Sequence, residues 1–170
     1  MKKYVFDLDN TLIYTDSLNN DSYNYALKYQ GLSHINKFKR ITREIVFENY
    51  PNINKIQMCE IINLKCEYFI NNLHITEVNE SLVTLLRSQE KNDCILWTSA
   101  EERRVRAILE YYNMNNLFKH ILFSSKVSIL NDIEEICKLH TCKSSQLLFY
   151  DDNLKLVEEL EKLNLNVILV

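Results

Sequence analysis

The chain has 170 residues, 46 % hydrophobic and 25 % charged, with a formal net charge of −3. These values exclude disordered and fibrous classes, speak against a nucleic-acid polymer as partner, and fit one well-packed domain or a domain carrying an inserted subdomain. Gly31 and Pro51 are the sole glycine and proline, against about 12 Gly at average usage, so no nucleotide site is built on a Gly-rich phosphate loop.

The first predicted strand is Lys3 to Leu8, an apolar run that ends in acid. Asp7 and Asp9 interrupt the apolar residues behind the N-terminal lysines, so this segment does not read as a signal peptide. No later stretch approaches the roughly 20 apolar residues of a membrane span, and the expected location is cytoplasmic. From Asp16 to Glu90 the pattern is helical. Ile35, Phe38, Ile41 and Ile45 recur at helical spacing, and a longer helix puts Cys59, Ile62, Cys66, Phe69 and Leu73 on one stripe. Gly31 fits a C-terminal cap before the first of these helices, and Pro51 separates the two. The five cysteines form no C-x-x-C pair and read as buried free thiols of a reducing compartment.

Beyond residue 90 short apolar strands alternate with amphipathic helices. Cys94-Ile95-Leu96-Trp97 is a strand, and Ser99 with Glu102 predicts a capping box for a helix with Val105, Ile108, Leu109 and Tyr112 on one face. His120 to Phe123 is a third strand, followed by a helix with Ile129, Ile133, Ile136 and His140 in register. Leu147 to Tyr150 is a fourth strand ending in acid, Leu156, Leu160 and Leu163 mark a helix, and Asn166 to Val170 is a fifth strand. This alternation predicts an α/β fold: a Rossmann-like parallel sheet of about five strands with helices on both faces. No simple crossover is as long as the helical stretch between the first two strands. The expected organisation is therefore a core of residues 1–15 and 91–170 with an inserted α-helical cap at 16–90.

Ligands of open parallel sheets bind beyond the carboxyl ends of the strands, so the residues there are the informative ones. They are Asp7 and Asp9 after the first strand, Thr98 and Ser99 after the second, Lys126 after the third, and Asp151 and Asp152 after the fourth. Four carboxylates in one place repel one another and call for a cation; hard oxygen donors suit Mg²⁺. A helix N-terminus at Thr98–Ser99 suits phosphate, and a lysine adds a point charge for phosphoryl oxygens. Taken singly, each feature has an ordinary reading as a turn, a helix cap or a solvated charge. Their conjunction in strand order is what points to chemistry.

YVFDLDNTL, ILWTSA, Lys126 and LLFYDDN resemble, in order, the four motifs of the haloacid dehalogenase-like hydrolase superfamily. The helical insert resembles the phosphatase branch whose cap follows the first motif, as in phosphoglycolate phosphatase and β-phosphoglucomutase-like proteins. Val127 stands where a proline commonly follows the lysine, and Lys138 and Lys143 are the alternative lysines; Asn10 replaces a frequent glycine. The resemblance implies a phosphomonoesterase in which Asp7 is the nucleophile, forming an aspartyl-phosphate, and Asp9 the general acid/base. It implies phosphate binding by Thr98, Ser99 and Lys126, bracing of the loop by Thr11, and Mg²⁺ held by Asp7, Asp9 through its backbone carbonyl, Asp151 and Asp152. Which of the last two binds the metal directly stays open.

The implied substrate is a small phosphorylated metabolite, such as a sugar, polyol or nucleotide phosphate. Lys37, Lys39, Arg40 and Arg43 cluster on one stretch, which reads either as a solvated helix face or as a contact to an anionic substrate group through Arg40 or Arg43. Tyr14 and Asp16, at the expected hinge, are further substrate candidates. A phosphoglucomutase-like phosphotransferase and a non-catalytic binding protein of the same fold are the alternatives. The oligomeric state stays open.

Overall fold

The computed structural model describes residues 2–36 and 40–170. The elements run in the order β1 (Lys3–Phe6), β2 (Ile13–Tyr14), α1 (Asp16–Tyr29), α2 (Arg43–Asn49), α3 (Lys55–Asn71), β3 (Glu77–Val78) and α4 (Glu80–Arg87). They continue with β4 (Cys94–Thr98), α5 (Glu102–Tyr111), β5 (His120–Phe123), α6 (Ile129–His140), β6 (Leu147–Asp151), α7 (Leu154–Lys162) and β7 (Asn166–Leu169). The chain divides into an α/β unit, Met1–Tyr14 with Val78–Val170, and a helical unit, Thr15–Glu77. The boundary therefore differs from the expected 16–90, because α4 falls in the α/β unit.

In the α/β unit five parallel strands form one sheet in the order β5-β4-β1-β6-β7. The three inner strands read as continuous apolar runs because both faces are covered: all five residues of β4 are buried. Val5, Ile95, Trp97, Leu122, Leu147 and Phe149 pack on one face with Ile129, Ile133 and Ile136 of α6 and Leu156 and Leu160 of α7. The connection from β4 to β5 runs in the opposite direction across the sheet, and right-handed crossover puts α5 on the other face. There the alternate side chains of the strands point, and Phe6 stacks on Tyr150 at 5.0 Å.

β1 is the central strand, with Phe6 in register with Leu96 on one side and Tyr150 on the other. The residues that follow these strands on the carboxyl edge are thereby brought side by side. This register, set by apolar side chains, positions the site.

The helical unit corrects two expectations. The spacing of Ile35, Ile41 and Ile45 does not make a helix: residues 32–36 and 40–42 have no regular structure, and α2 begins only at Arg43. Phe38, Lys37 and Lys39 lie outside the described residues. Ile35 and Ile41 are nonetheless buried. The backbone of both is taken up by asparagine side chains of α1: Asn24 Oδ1 accepts from Ile35 N at 2.8 Å, Asn20 Oδ1 accepts from Ile41 N at 2.7 Å, and Asn19 Nδ2 donates to Ile41 O at 2.9 Å. Such side-chain bonds offer the backbone an alternative to the helical ladder. On α3 the buried face is Met58, Ile61 and Phe69, and Cys59 is exposed, not buried. Gly31 does cap α1: at φ +71 it lies in the left-handed region, Leu32 N donates to Leu27 O at 2.9 Å and Gly31 N to Lys28 O at 3.0 Å, the paired bonds of a Schellman motif. None of the five cysteines is in a disulfide, and of the thiols expected to be buried only Cys94 is fully so.

Candidate active site

The loop after β1 turns sharply. Asn10 takes φ 58, a left-handed conformation that asparagine tolerates better than most side chains. Its N–H donates to Ile13 O at 2.7 Å, and Leu12 and Ile13 both donate to Leu8 O at 3.0 Å. Asn79, the N-cap of α4, fastens this turn from outside by donating through Nδ2 to Thr11 O at 3.0 Å and through its backbone to Leu12 O at 2.9 Å. The hydroxyl of Thr11 points to Asp152 Oδ1 at 3.5 Å.

Held in this way, Asp7 is buried at the end of the central strand, and Asp151 is buried at the end of the neighbouring one. Lys126 reaches between them: its Nζ lies 2.7 Å from Asp7 Oδ1 and 2.7 Å from Asp151 Oδ2. Burial pushes the Asp7 carboxyl well above the ordinary carboxylate range; Lys126 opposes this, and the charges of Asp151 and Asp9 add to it. Burial also works against the charge on Lys126, but the two carboxylates more than offset it and its pKa is raised. Two buried acids thus share one ammonium.

Lys126 is itself in the left-handed region at φ 58, where a non-glycine backbone costs roughly 1–2 kcal/mol. A network behind it holds this loop. Lys126 N donates to Ser124 Oγ at 3.1 Å, and Ser124 Oγ donates to Asp132 Oδ2 at 2.5 Å. Trp97 Nε1 donates to the same oxygen at 3.1 Å, and the ammonium of Lys126 lies 4.8 Å above the Trp97 ring. Of Lys126 and the alternatives Lys138 and Lys143, it is Lys126 that lies against Asp7 and Asp151.

Thr98 is buried, and its Oγ1 accepts from Ala100 N at 3.1 Å. The expected capping box at Ser99 does not form, and Ser99 is exposed. α5 starts at Glu102 with Glu101 as its N-cap, whose carboxylate accepts from Arg103 N and Arg104 N, both at 3.1 Å. The helix N-terminus is thus displaced from Thr98–Ser99 and engaged by an acid, which removes the helix-terminus argument for phosphate at that place.

Asp9 is held by Arg104, which no motif in the sequence singles out. Arg104 Nη1 donates to Asp9 Oδ1 at 3.0 Å, and Nη2 donates to Asp9 Oδ2. Asp152 is half-buried beside Asp151, and the remaining oxygen of Asp151 accepts from Asn153 N at 2.9 Å. Among the described residues no three His, Cys, Asp or Glu side chains converge as a formed metal cluster. The donor set nevertheless fits a hard divalent cation: Asp7 and Asp151 supply carboxylate oxygens, and their charge exceeds that of the one lysine between them. Of the other substrate candidates, Tyr14 is exposed at the end of β2. In the helical unit Arg40 Nη1 donates to Asp16 Oδ1 at 2.7 Å and to Thr15 Oγ1 at 3.0 Å, and Arg43 is exposed at the start of α2.

The haloacid dehalogenase-like hydrolase family model matches residues 4–170, and the chain belongs to that family. No curated protein sequence matches it. Among solved structures it is similar to a predicted phosphoglycolate phosphatase from Haemophilus somnus, at 16 % identity and TM-score 0.81 over 99 % of this chain and 84 % of the other. It is also similar to a predicted phosphatase from Clostridium acetobutylicum, at 21 % identity and TM-score 0.72 over 99 % and 84 %. CbbY from Rhodobacter sphaeroides, solved with phosphate, matches at 14 % identity and TM-score 0.76 over 99 % and 85 %. These similarities carry the α/β fold. No described helix is long and apolar enough to cross a membrane.

Proposed function

We propose that the protein is a Mg²⁺-dependent phosphatase that hydrolyses a small phosphomonoester through an aspartyl-phosphate on Asp7. The observation that carries this reading is the pair of 2.7 Å contacts from Lys126 to Asp7 and Asp151. Two carboxylates and an ammonium meet there on the carboxyl edge of the sheet, which supports Asp7 as nucleophile and Lys126 as the cation for phosphoryl oxygens. Family membership gives the hydrolase class, and CbbY, also solved with xylulose-1,5-bisphosphate, supports a sugar or polyol phosphate as the substrate class.

In the first half-reaction a carboxylate oxygen of Asp7 attacks phosphorus and the ester P–O bond breaks. The departing alkoxide takes a proton from Asp9. In the second, water attacks the same phosphorus, its proton returns to Asp9, and the acyl-phosphate P–O bond breaks, which frees Asp7 and phosphate. Lys126 and Thr98 hold the phosphoryl oxygens in both halves. When bound by Asp7, Asp151 and the Asp9 carbonyl, with Asp152 beside them, Mg²⁺ supplies positive charge against the repulsion between carboxylate and phosphate dianion. The test is phosphate release from 4-nitrophenyl phosphate and a panel of phosphorylated metabolites. Activity that needs Mg²⁺ and disappears in EDTA supports the reading; full activity in chelator removes the metal from it.

A further inference from the structure

Arg104 stands where the pattern of α5 calls for an apolar residue. It is 6 % exposed and shares the buried face of the helix with Val105, Ile108 and Leu109. A buried guanidinium is costly unless both its charge and its N–H groups are matched, and here the match is Asp9, 95 residues earlier in the chain. The contact is a fork on a fork: two nitrogens on the two oxygens of one carboxylate. This geometry fixes the plane of the carboxylate as well as its position. Both ends are anchored independently. The Glu101 cap and the burial of Val105, Ile108 and Leu109 set the register of α5. The Asn10 turn and its Asn79 fastening set the backbone of Asp9.

We propose that Arg104 is the positioning residue of Asp9: its fork takes one lone pair on each carboxyl oxygen and fixes the plane of the group, and a remaining lone pair carries the proton passed to the leaving alcohol. The proposal rests on the phosphatase reading given above. If Arg104 acts in this way, its contribution grows as the leaving group becomes poorer, because a good leaving group departs with little help from an acid. A residue that merely stabilised the fold would affect all esters alike.

The test uses the full chain and three probes of decreasing leaving-group quality: 4-nitrophenyl, phenyl and methyl phosphate. kcat/KM reports the first half-reaction. In Arg104→Met, kcat/KM for phenyl and methyl phosphate falls by about 10–100-fold, at least ten times more than for 4-nitrophenyl phosphate. In Arg104→Ala, added guanidinium restores part of the lost activity on the poorer esters. Arg104→Lys keeps the charge but cannot form the fork, so it shows the same steepened dependence and carries the comparison if the other variants do not fold. An equal proportional loss on all three esters, or no loss, overturns the proposal. The phosphatase reading fails separately: if the unmodified protein releases no phosphate from any probe, or if Asp7→Asn retains turnover, that reading falls and takes this proposal with it.

Discussion

The two units bury polar groups of different kinds. In the α/β unit the buried polar residues include Asp7, Arg104, Lys126's partner Asp151, and Asp132, each engaged with a charged or polar side chain far away in sequence. Among the described residues of the helical unit they are Thr15, Asn19, Ser22 and Thr76. Three of these donate to backbone carbonyls: Asn19 to Ile41 O at 2.9 Å, Ser22 to Leu18 O at 2.5 Å and Thr76 to Leu73 O at 2.6 Å. A neutral group bonded to a carbonyl completes the fold at little cost. A buried charge costs several kcal/mol to desolvate, and its retention marks the unit where chemistry is expected. The difference locates the candidate site without any reference to motifs.

The comparison breaks most sharply if the buried charges can be removed without consequence. Asp7→Asn is expected to lower kcat for 4-nitrophenyl phosphate on the order of 10⁴–10⁶-fold, since an amide oxygen does not replace the attacking carboxylate. Near-normal turnover would show that the buried acids serve the fold. Lys126→Met is expected next. It leaves Asp7 and Asp151 without the ammonium they share, so kcat falls about 10²–10³-fold and stability falls by about 3–5 kcal/mol in the metal-free protein. Urea unfolding followed with and without Mg²⁺ checks this: the metal should recover part of the lost stability, because it supplies positive charge to the same pair of acids.

Legibility in the sequence follows the same division. Asp7 and Asp151 are legible because each closes a continuous apolar run. Lys126 could be read by its place after the third strand, although its left-handed backbone and the Ser124–Asp132–Trp97 network behind it were not visible. A charge on an amphipathic helix ordinarily reads as its solvated face, which hides Arg104 and Asp132, although helical spacing puts Arg104 with Ile108 and Asp132 with Ile129 and Ile136 on the buried faces. At residues 35–45 the departure of the structure from the pattern has a different origin. Isoleucines at helical spacing look the same whether the backbone between them is helical or not, and here Asn19, Asn20 and Asn24 of α1 decide against the helix by hydrogen-bonding to it. Side-chain-to-backbone bonds of this kind leave no periodic trace. The division between Glu77 and Val78 has no trace in the pattern, because α4 is as helical as the elements that precede it.

His140 sharpens the comparison from within the α/β unit, as a buried titratable residue on the helix that follows β5 and away from the strand ends. Burial pushes its pKa down to about 4, with His120, Lys119 and Lys3 adding repulsion, and the rings of His140 and His120 meet edge to face at 5.0 Å. The unfolded chain takes up a proton near pH 6.5, whereas the folded chain refuses it until about pH 4. The stabilising contribution of the neutral ring is therefore complete above pH 6.5 and is lost as pH falls towards 4, at about 1.4 kcal/mol per pH unit within that window. His140→Leu should flatten this part of the stability profile, measured by urea midpoints between pH 4 and 7.5. An unchanged profile would assign the acid sensitivity to the carboxylates.

The smallest expected effect lies in the helical unit, where Arg40 is the best-placed charge. It is paired with Asp16 and Thr15 within its own unit, but the partner carboxylate is 48 % exposed. Such a pair is worth about 0.5–1 kcal/mol, less in high salt. Arg40→Ala is expected to lower the unfolding free energy by that amount, with a difference that shrinks between 0.05 and 0.5 M NaCl on the scale set by Debye screening. Arg43, exposed at the first position of α2, should change stability by less than about 0.5 kcal/mol when truncated. The two arginines thus make opposite demands on the earlier idea that one of them contacts substrate. Arg40 already has a structural use for its charge, so a rise in KM in Arg40→Ala must be separated from lost stability by measuring both in the same buffer. Arg43 has no such confounding term. A several-fold rise in KM in Arg43→Ala with unchanged stability would give the helical unit a charge that acts on substrate, which the pattern of buried groups alone does not predict. Unchanged KM in both variants would leave the helical unit's arginines to its own fold and surface.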